Sequence, residues 1–250
     1  MLNVTLARPW KSKNTLKAFA LQVLNETCEG AVSFAQVGAN DGVMADPIYP
    51  YLREFEWSGV MVEPHPAYFS DLSKLHAGRP NLQLVNCAVS DVAGEMELFY
   101  LSEAVREYYP DWARGCASLK RHRLIEVVEG KRQQGQQDLD ADIEKVGVPV
   151  RRLDDILEDH SISALDFLLI DVEGFEEQVL ESVDLTSLNL RACMVECNGS
   201  DTKNEATIAR ILERAGLITF RFRDDLFGMH PERLNVPLSQ VMKFMNQPPL

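Results

Sequence analysis

Positive charge is scarce in this chain. Its 250 residues carry 25 lysines and arginines against 38 aspartates and glutamates, a formal net charge of −13. That balance argues against a nucleic-acid partner, which needs a broad basic surface to displace counterions. Cysteine is scarce too. There are five, Cys28, Cys87, Cys116, Cys193 and Cys197, and no two form a C-x-x-C pair. Their odd number, and the apolar runs around Cys87 and Cys193, read as reduced, mostly buried thiols of a cytoplasmic protein. Long apolar runs are missing, so no segment reaches the roughly 18 residues of a membrane span. At the N-terminus Lys11, Lys13 and Lys17 alternate with Leu16, Phe19, Ala20, Val23 and Leu24. Residues 1–30 therefore read as an amphipathic helical extension, not a signal peptide. The G-x-G-x-x-G element of nicotinamide dinucleotide sites is also absent.

What is present is an alternation of strand-like and helix-like segments, the pattern of a mostly parallel sheet with helices on both faces. Residues 31–37, 59–62, 82–89, 148–153, 165–172, 192–197 and 217–222 read as strands. Residues 82–89 and 95–101 read as a hairpin. Asp46-Pro47 opens one helix, and Gly216 closes another that begins near Glu205. The polar stretch 102–147 breaks the rhythm and reads as an inserted loop or lid on a domain spanning 31–223. Residues 224–250 read as an appendage.

Four strand ends carry the candidate chemistry. After the first strand comes Gly38-Ala39-Asn40-Asp41-Gly42, where the glycines permit a sharp turn and close approach to a ligand. Asp41 would repel a phosphate, so the loop suits a zwitterionic, cationic ligand. Glu63 ends the second strand and can accept hydrogen bonds from both ribose hydroxyls. Ala88, Ser90 and Asp91 end the third, where a nucleobase would pack. Asp171 and Glu173 flank the end of the most apolar strand, and carboxylates there are costly unless paired or used. Asp171 is the first candidate for a general base, followed by Glu173 and Glu196. Asp171, Glu173, Glu196 and Asn198 are also oxygen donors of the kind that hold Mg²⁺ or Ca²⁺. The basic run Lys120-Arg121-His122-Arg123 is either a solvated face or a grip on an anionic acceptor. His76, His160 and His230 read as surface residues.

The ordered set resembles the FkbM family of methyltransferases. It comprises Gln-Val-Gly-Ala-Asn-Asp-Gly at 36–42, Val-Glu-Pro at 62–64, and Cys-Ala-Val-Ser-Asp at 87–91 with Gly94 after it. Leu-Ile-Asp-Val-Glu-Gly-Phe-Glu at 169–176 and Met-Val-Glu at 194–196 complete it, with Ala117-Ser118-Leu119 between the halves. The resemblance runs from about Ser33 to Phe222. It implies a Rossmann-like class I methyltransferase fold, S-adenosylmethionine as cofactor, and O-methylation of a small-molecule or glycan acceptor such as a sugar or polyketide. On that reading Gly38, Asn40, Asp41, Gly42, Glu63, Ala88, Ser90, Asp91 and Asp171 hold the cofactor. Two other readings stay open: a nicotinamide-dependent oxidoreductase on the same fold class, and a binding module without catalysis.

Overall fold

The computed structural model describes residues 15–197, 202–222 and 224–234. Chain order begins with α1 (Thr15–Thr27), β1 (Ser33–Val37), α2 (Tyr49–Glu54), β2 (Ser58–Val62), α3 (Pro66–Leu75) and β3 (Leu82–Val85). It continues with β4 (Ala88–Val89), β5 (Gly94–Leu101), a 3-10 turn (Arg106–Tyr108), α4 (Asp111–Arg114), β6 (Ala117–Ser118), α5 (Arg121–Val128) and α6 (Leu139–Asp142). Then come β7 (Ile143–Arg151), α7 (Leu153–Asp159), β8 (Phe167–Ile170), α8 (Glu176–Glu181), β9 (Ala192–Glu196), α9 (Thr202–Arg214), β10 (Ile218–Phe222) and β11 (Asp225–Met229).

Seven strands form the central sheet in the order β10-β11-β9-β8-β1-β2-β3, parallel except for β11. The fold is the expected Rossmann-like α/β arrangement, with helices on both faces. On one face α1, α2 and α3 bury Leu21, Leu24, Leu52 and Leu72 against Phe34, Met61, Phe167 and Met194. On the other α7, α8 and α9 bury Ile156, Val179 and Leu212 against Val37, Val62, Ile170 and Val195. Because β8 is covered on both faces all four of its residues are buried, which is why it reads as an unbroken apolar run. Four of the five cysteines are buried and all five are free thiols. Among the described residues no helix is long and apolar enough to cross a membrane.

The structure corrects the sequence reading in three regions. Residues 224–250 are not simply an appendage: β11 lies inside the sheet between β9 and β10, wholly buried. Its leading acid Asp225, preceded by Asp224, and Gly228 disguise it as a turn. Gly228 is there because a side chain would press on Leu217, 3.1 Å away. Residues 235–250 lie outside the described residues. The 102–147 stretch is not a bare loop but a cap, built on a second sheet of order β4-β7-β5-β6. The cap has its own small core of Leu101, Tyr109, Ala113, Cys116, Leu124 and Val128. A buried network, Arg132 to Asp142 and Tyr109 Oη to Asp142 at 2.6 Å, braces it. Strand β7 starts at Ile143 rather than Val148; its first half, with Glu144 and Lys145 both exposed, lacks the apolar run that marks a strand in sequence.

Residues 82–89 are two strands rather than one. The chain breaks at Asn86, whose amide donates to the carbonyls of Glu63 and Pro64. Strand β4 then joins the second sheet, where β7 separates it from β5, so the expected hairpin does not form.

Candidate active site

The register across the sheet brings the strand-end acids together. Val62, Val37, Ile170 and Val195 are paired in one row across β2, β1, β8 and β9. One residue further out lie Glu63, Gly38, Asp171 and Glu196, and Glu196 pairs with Asp225 of β11. Side chains two apart on a strand share a face. These acids therefore share the face of Met61, Leu169, Met194 and Phe227, the α1 side of the sheet. The result is a row of four carboxylates from four strands, interrupted by one glycine.

That gap is enforced. Gly38 has φ +87°, and a Cβ there would lie 1.7 Å from the carbonyl oxygen of Asp171. No other residue fits between the first loop and the end of β8. The gap opens into a cavity of about 230 Å³. It lies outside the carboxyl ends of the parallel strands and spans β1 and β8, where the strand order reverses.

Of the residues read from sequence, Gly38, Asn40, Glu63, Ala88, Asp171, Glu173 and Glu196 line this cavity. Asp41, Gly42, Ser90 and Asp91 do not line it. The Asp41 carboxylate turns back to accept the backbone N–H groups of Val43 and Met44. Gly42 packs on α3, where a Cβ would meet Leu72 at 2.7 Å. Ser90 Oγ donates to Asp91, away from the opening. Asn198 lies outside the described residues. The amide of Asn40 donates to the carbonyl of Gly115 at 3.0 Å, tying the first loop to the cap.

Glu63 is buried, and its two oxygens accept the backbone N–H groups of Asn40 and His65, each at 2.8 Å. Burial pushes its carboxyl up to about 7. A carboxylate holds about four lone pairs, so Glu63 can still accept from a ligand. Asp171, Glu173 and Glu196 bring oxygens within 4.8 Å of one another. Asp171 is exposed to the open cavity, and the protein crowded around it and the nearby Glu173 charge raise its carboxyl to about 6. Burial and the charges of Asp171 and Glu173 push the Glu196 carboxyl much further, to about 11. Asp171 and Glu196 are hydrogen-bonded and titrate as a pair, so near neutral pH they share one proton. Glu173 is raised by burial, with Cys116 and Arg123 opposing.

The basic run of the cap is divided: Arg121 and His122 lie at the surface, whereas Lys120 and Arg123 are engaged by the protein itself. Lys120 Nζ donates to the Gly174 carbonyl and sits over the Phe175 ring. Arg123 reaches Glu173 at 3.4 Å and packs its stem on Gly174, while Arg121 bonds Asp140. With Ser118 Oγ donating to the Glu173 carbonyl at 2.7 Å, these contacts clamp the cap onto the turn after β8.

Sequence reasoning missed several lining residues. Lys17 of α1 and Asp225 of β11 meet at 2.7 Å, and both line the cavity. Gln36 is buried there, and its Oε1 has no partner among the described residues. Asp46 is not the N-cap of α2, which starts at Tyr49 with Ile48 in that position; its carboxylate accepts from the N–H groups of Ile48 and Tyr49 in the turn before the helix, it lines the cavity, and burial raises it to about 7. Met44 and half-exposed Trp112 also line the cavity. A row of acids at the carboxyl ends was the signal for Asp225, hidden because its strand is reversed. His76 is buried rather than superficial.

Comparison with known proteins supplies the family. A sequence profile described as the methyltransferase FkbM domain matches residues 36–221. No curated protein sequence matches the chain. Among solved structures, an FkbM methyltransferase from Methylobacillus flagellatus KT is similar at 12% identity and a TM-score of 0.50. That match covers 80% of this chain but only 44% of the other. A precorrin-6y C5,15-methyltransferase from Geobacter metallireducens GS-15 matches at 12% identity over 89% and 90% of the two chains, TM-score 0.42. Aeropyrum pernix fibrillarin, solved with natively bound S-adenosyl-L-methionine, matches at 13% identity over 85% and 75%, TM-score 0.39. The profile takes in most of this chain and all four strand-end motifs: the protein belongs to the FkbM methyltransferase family.

Proposed function

We propose that the protein is an S-adenosylmethionine-dependent methyltransferase that methylates a hydroxyl of a small-molecule or glycan acceptor, such as a sugar or polyketide. One observation carries the reading: Glu63, Asp171 and Glu196 line a single cavity around the gap left by Gly38. The residues fit the cofactor. Glu63 has spare acceptor capacity for two ribose hydroxyls. Ala88 and Val89 offer an apolar wall for a base. The acidic row favours a ligand with positive charge. When bound, S-adenosylmethionine supplies an electrophilic methyl on a sulfonium centre.

The chain's own part is alignment and proton removal. Holding two reacting groups in line is worth up to roughly 7–11 kcal/mol. Asp171, of the Asp171–Glu196 pair, is suited to take the acceptor's hydroxyl proton. Glu196, hydrogen-bonded to Asp171 through the proton they share, keeps it oriented. The Asp171, Glu173 and Glu196 triangle also has the donor chemistry of a Mg²⁺ or Ca²⁺ site. Transfer that survives a chelator assigns the work to the shared proton instead.

Calorimetric titration tests the cofactor reading without an acceptor. S-adenosylmethionine or its demethylated product is expected to bind and NAD⁺ is not. The opposite pattern overturns the proposal. A panel of hydroxylated sugars and polyketides, followed by mass spectrometry for a gain of one methylene mass, then tests the acceptor class.

A further inference from the structure

The cavity is strongly acidic. Asp46, Glu63, Asp171, Glu173, Glu196 and Asp225 line it, and among the described residues Lys17 is the one lysine or arginine that does. This is a difficulty for a ligand that ends in an amino acid. Its ammonium group is welcome, but its α-carboxylate would meet an acidic wall with net negative charge and a single cation. Like charges in an enclosed site repel strongly.

Resting on the cofactor reading above, we infer that Lys17 binds the α-carboxylate of the cofactor's amino-acid end, with Asp225 as the residue that holds Lys17 in place. The α1 helix supports this. Ala20, Leu21, Val23 and Leu24 are buried against the sheet, so the helix is fixed and Lys17 is delivered from its first turns. Lys17 Nζ lies 2.7 Å from Asp225 Oδ2. A lysine ammonium carries three N–H donors, so one bond to Asp225 leaves two for a ligand. Asp225 is buried and sits in the same row as Asp171 and Glu196. The field of Lys17 reaches Asp171 and opposes the rise in its carboxyl. Lys17 thus stands beside the acidic pair on the α1 face, within the same cavity as Glu63. A ligand spanning from Glu63 to Lys17 would cross the opening at Gly38.

The test compares two adenosine thioethers, one with the amino-acid end and one without. S-adenosylhomocysteine and 5′-methylthioadenosine are titrated calorimetrically into the wild type, Lys17→Met and the double variant Lys17→Met/Asp225→Asn. A lost charge-assisted contact should weaken S-adenosylhomocysteine by roughly tenfold or more in both variants, while 5′-methylthioadenosine stays within about twofold of wild type. Retained 5′-methylthioadenosine binding also shows that the variants are folded. The double variant removes the charge that Lys17→Met leaves buried and unpaired. If it recovers wild-type affinity for S-adenosylhomocysteine, Lys17 only balances Asp225 and the inference is overturned. Equal losses for both compounds, or none, overturn it too. A wild type that binds neither compound sinks the cofactor reading, and this inference with it.

Discussion

The central sheet and the cap solve different problems with different means. The sheet has two large cores, one on each face, and most of its strands are apolar runs. The cap has one small core and a buried Arg132–Asp142–Tyr109 network, and its helices α4 and α6 span four residues each. The sheet fixes four acids at set spacing, because neighbouring strands are held by backbone hydrogen bonds. The cap supplies the covering, fastened by a few side-chain contacts to the turn after β8 and to the first loop. Precision and adjustability are thus divided between two parts of one chain.

The largest expected effect falls on the sheet's row of acids. Asp171→Asn should lower turnover by about 10²–10⁴-fold, the range for a positioned base. Affinity for S-adenosylhomocysteine should change little. In the wild type, turnover should fall as pH drops through about 6, where Asp171 takes up a proton. A rate unaffected by the substitution removes Asp171 from the chemistry.

The second experiment sets the two cores against each other. Leu168 is fully buried in β8 and Leu124 is buried in the cap. Leu168→Ala should lower global stability by about 2–5 kcal/mol, the usual cost of such a cavity. Leu124→Ala should act locally, raising amide hydrogen exchange between residues 102 and 142 while β1, β8 and β9 stay protected. Uniform loss of protection in both variants would mean that cap and sheet unfold as one unit.

How much of this was legible in the sequence follows the same division. Strand-end motifs survive in sequence because each strand is an apolar run closed by an acid or glycine. Gly38, Glu63, Asp171 and Glu196 were therefore found, along with the sheet that unites them. The cap was not legible, since β5 and β7 each have stretches of consecutive exposed residues and their charged residues break the apolar run. Lys17 looked like one lysine among several on a solvated helix face. Asp225 was hidden because β11 runs against its neighbours and brings its first residue, not its last, to the row. Asp41, Ser90 and Asp91 were legible as polar residues near the site, but where each side chain turns depends on local hydrogen bonds that no spacing encodes.

A smaller effect is expected at Glu63. Glu63→Gln should weaken S-adenosylhomocysteine binding by about 1–3 kcal/mol, as for other lost hydrogen bonds to a charged group. It should also change how stability depends on pH. Glu63, Asp46 and Asp171 all sit above their ordinary values because of burial. The fold then binds more protons than the unfolded chain between about pH 4 and pH 7, so these groups favour folding most when protonated. Their contribution is complete below the unfolded values and is lost as pH rises through about 6 to 7. The melting temperature of the wild type should therefore rise as pH falls from 8 towards 5.5, and less steeply in Glu63→Gln. A melting temperature that climbs with pH over this range contradicts the assignment.

The smallest effect concerns the clamp. Ser118→Ala removes the bond to the Glu173 carbonyl and should cost about 0.5–1.5 kcal/mol. Limited proteolysis should detect it as faster cleavage within 102–142, with the sheet intact.

Met44 and Trp112 have a consequence for how such an enzyme diversifies. Met44 comes from the sheet's first loop and Trp112 from the cap, and both border the same cavity. The carboxylates that would handle the proton all belong to the sheet. Grafting a different cap between residues 102 and 142 would replace Trp112 without touching Asp171, Glu196 or Glu63. If the proposed reaction holds, chemistry and clientele would be inherited separately, and a library of cap segments on this one sheet would test whether the cap selects the acceptor.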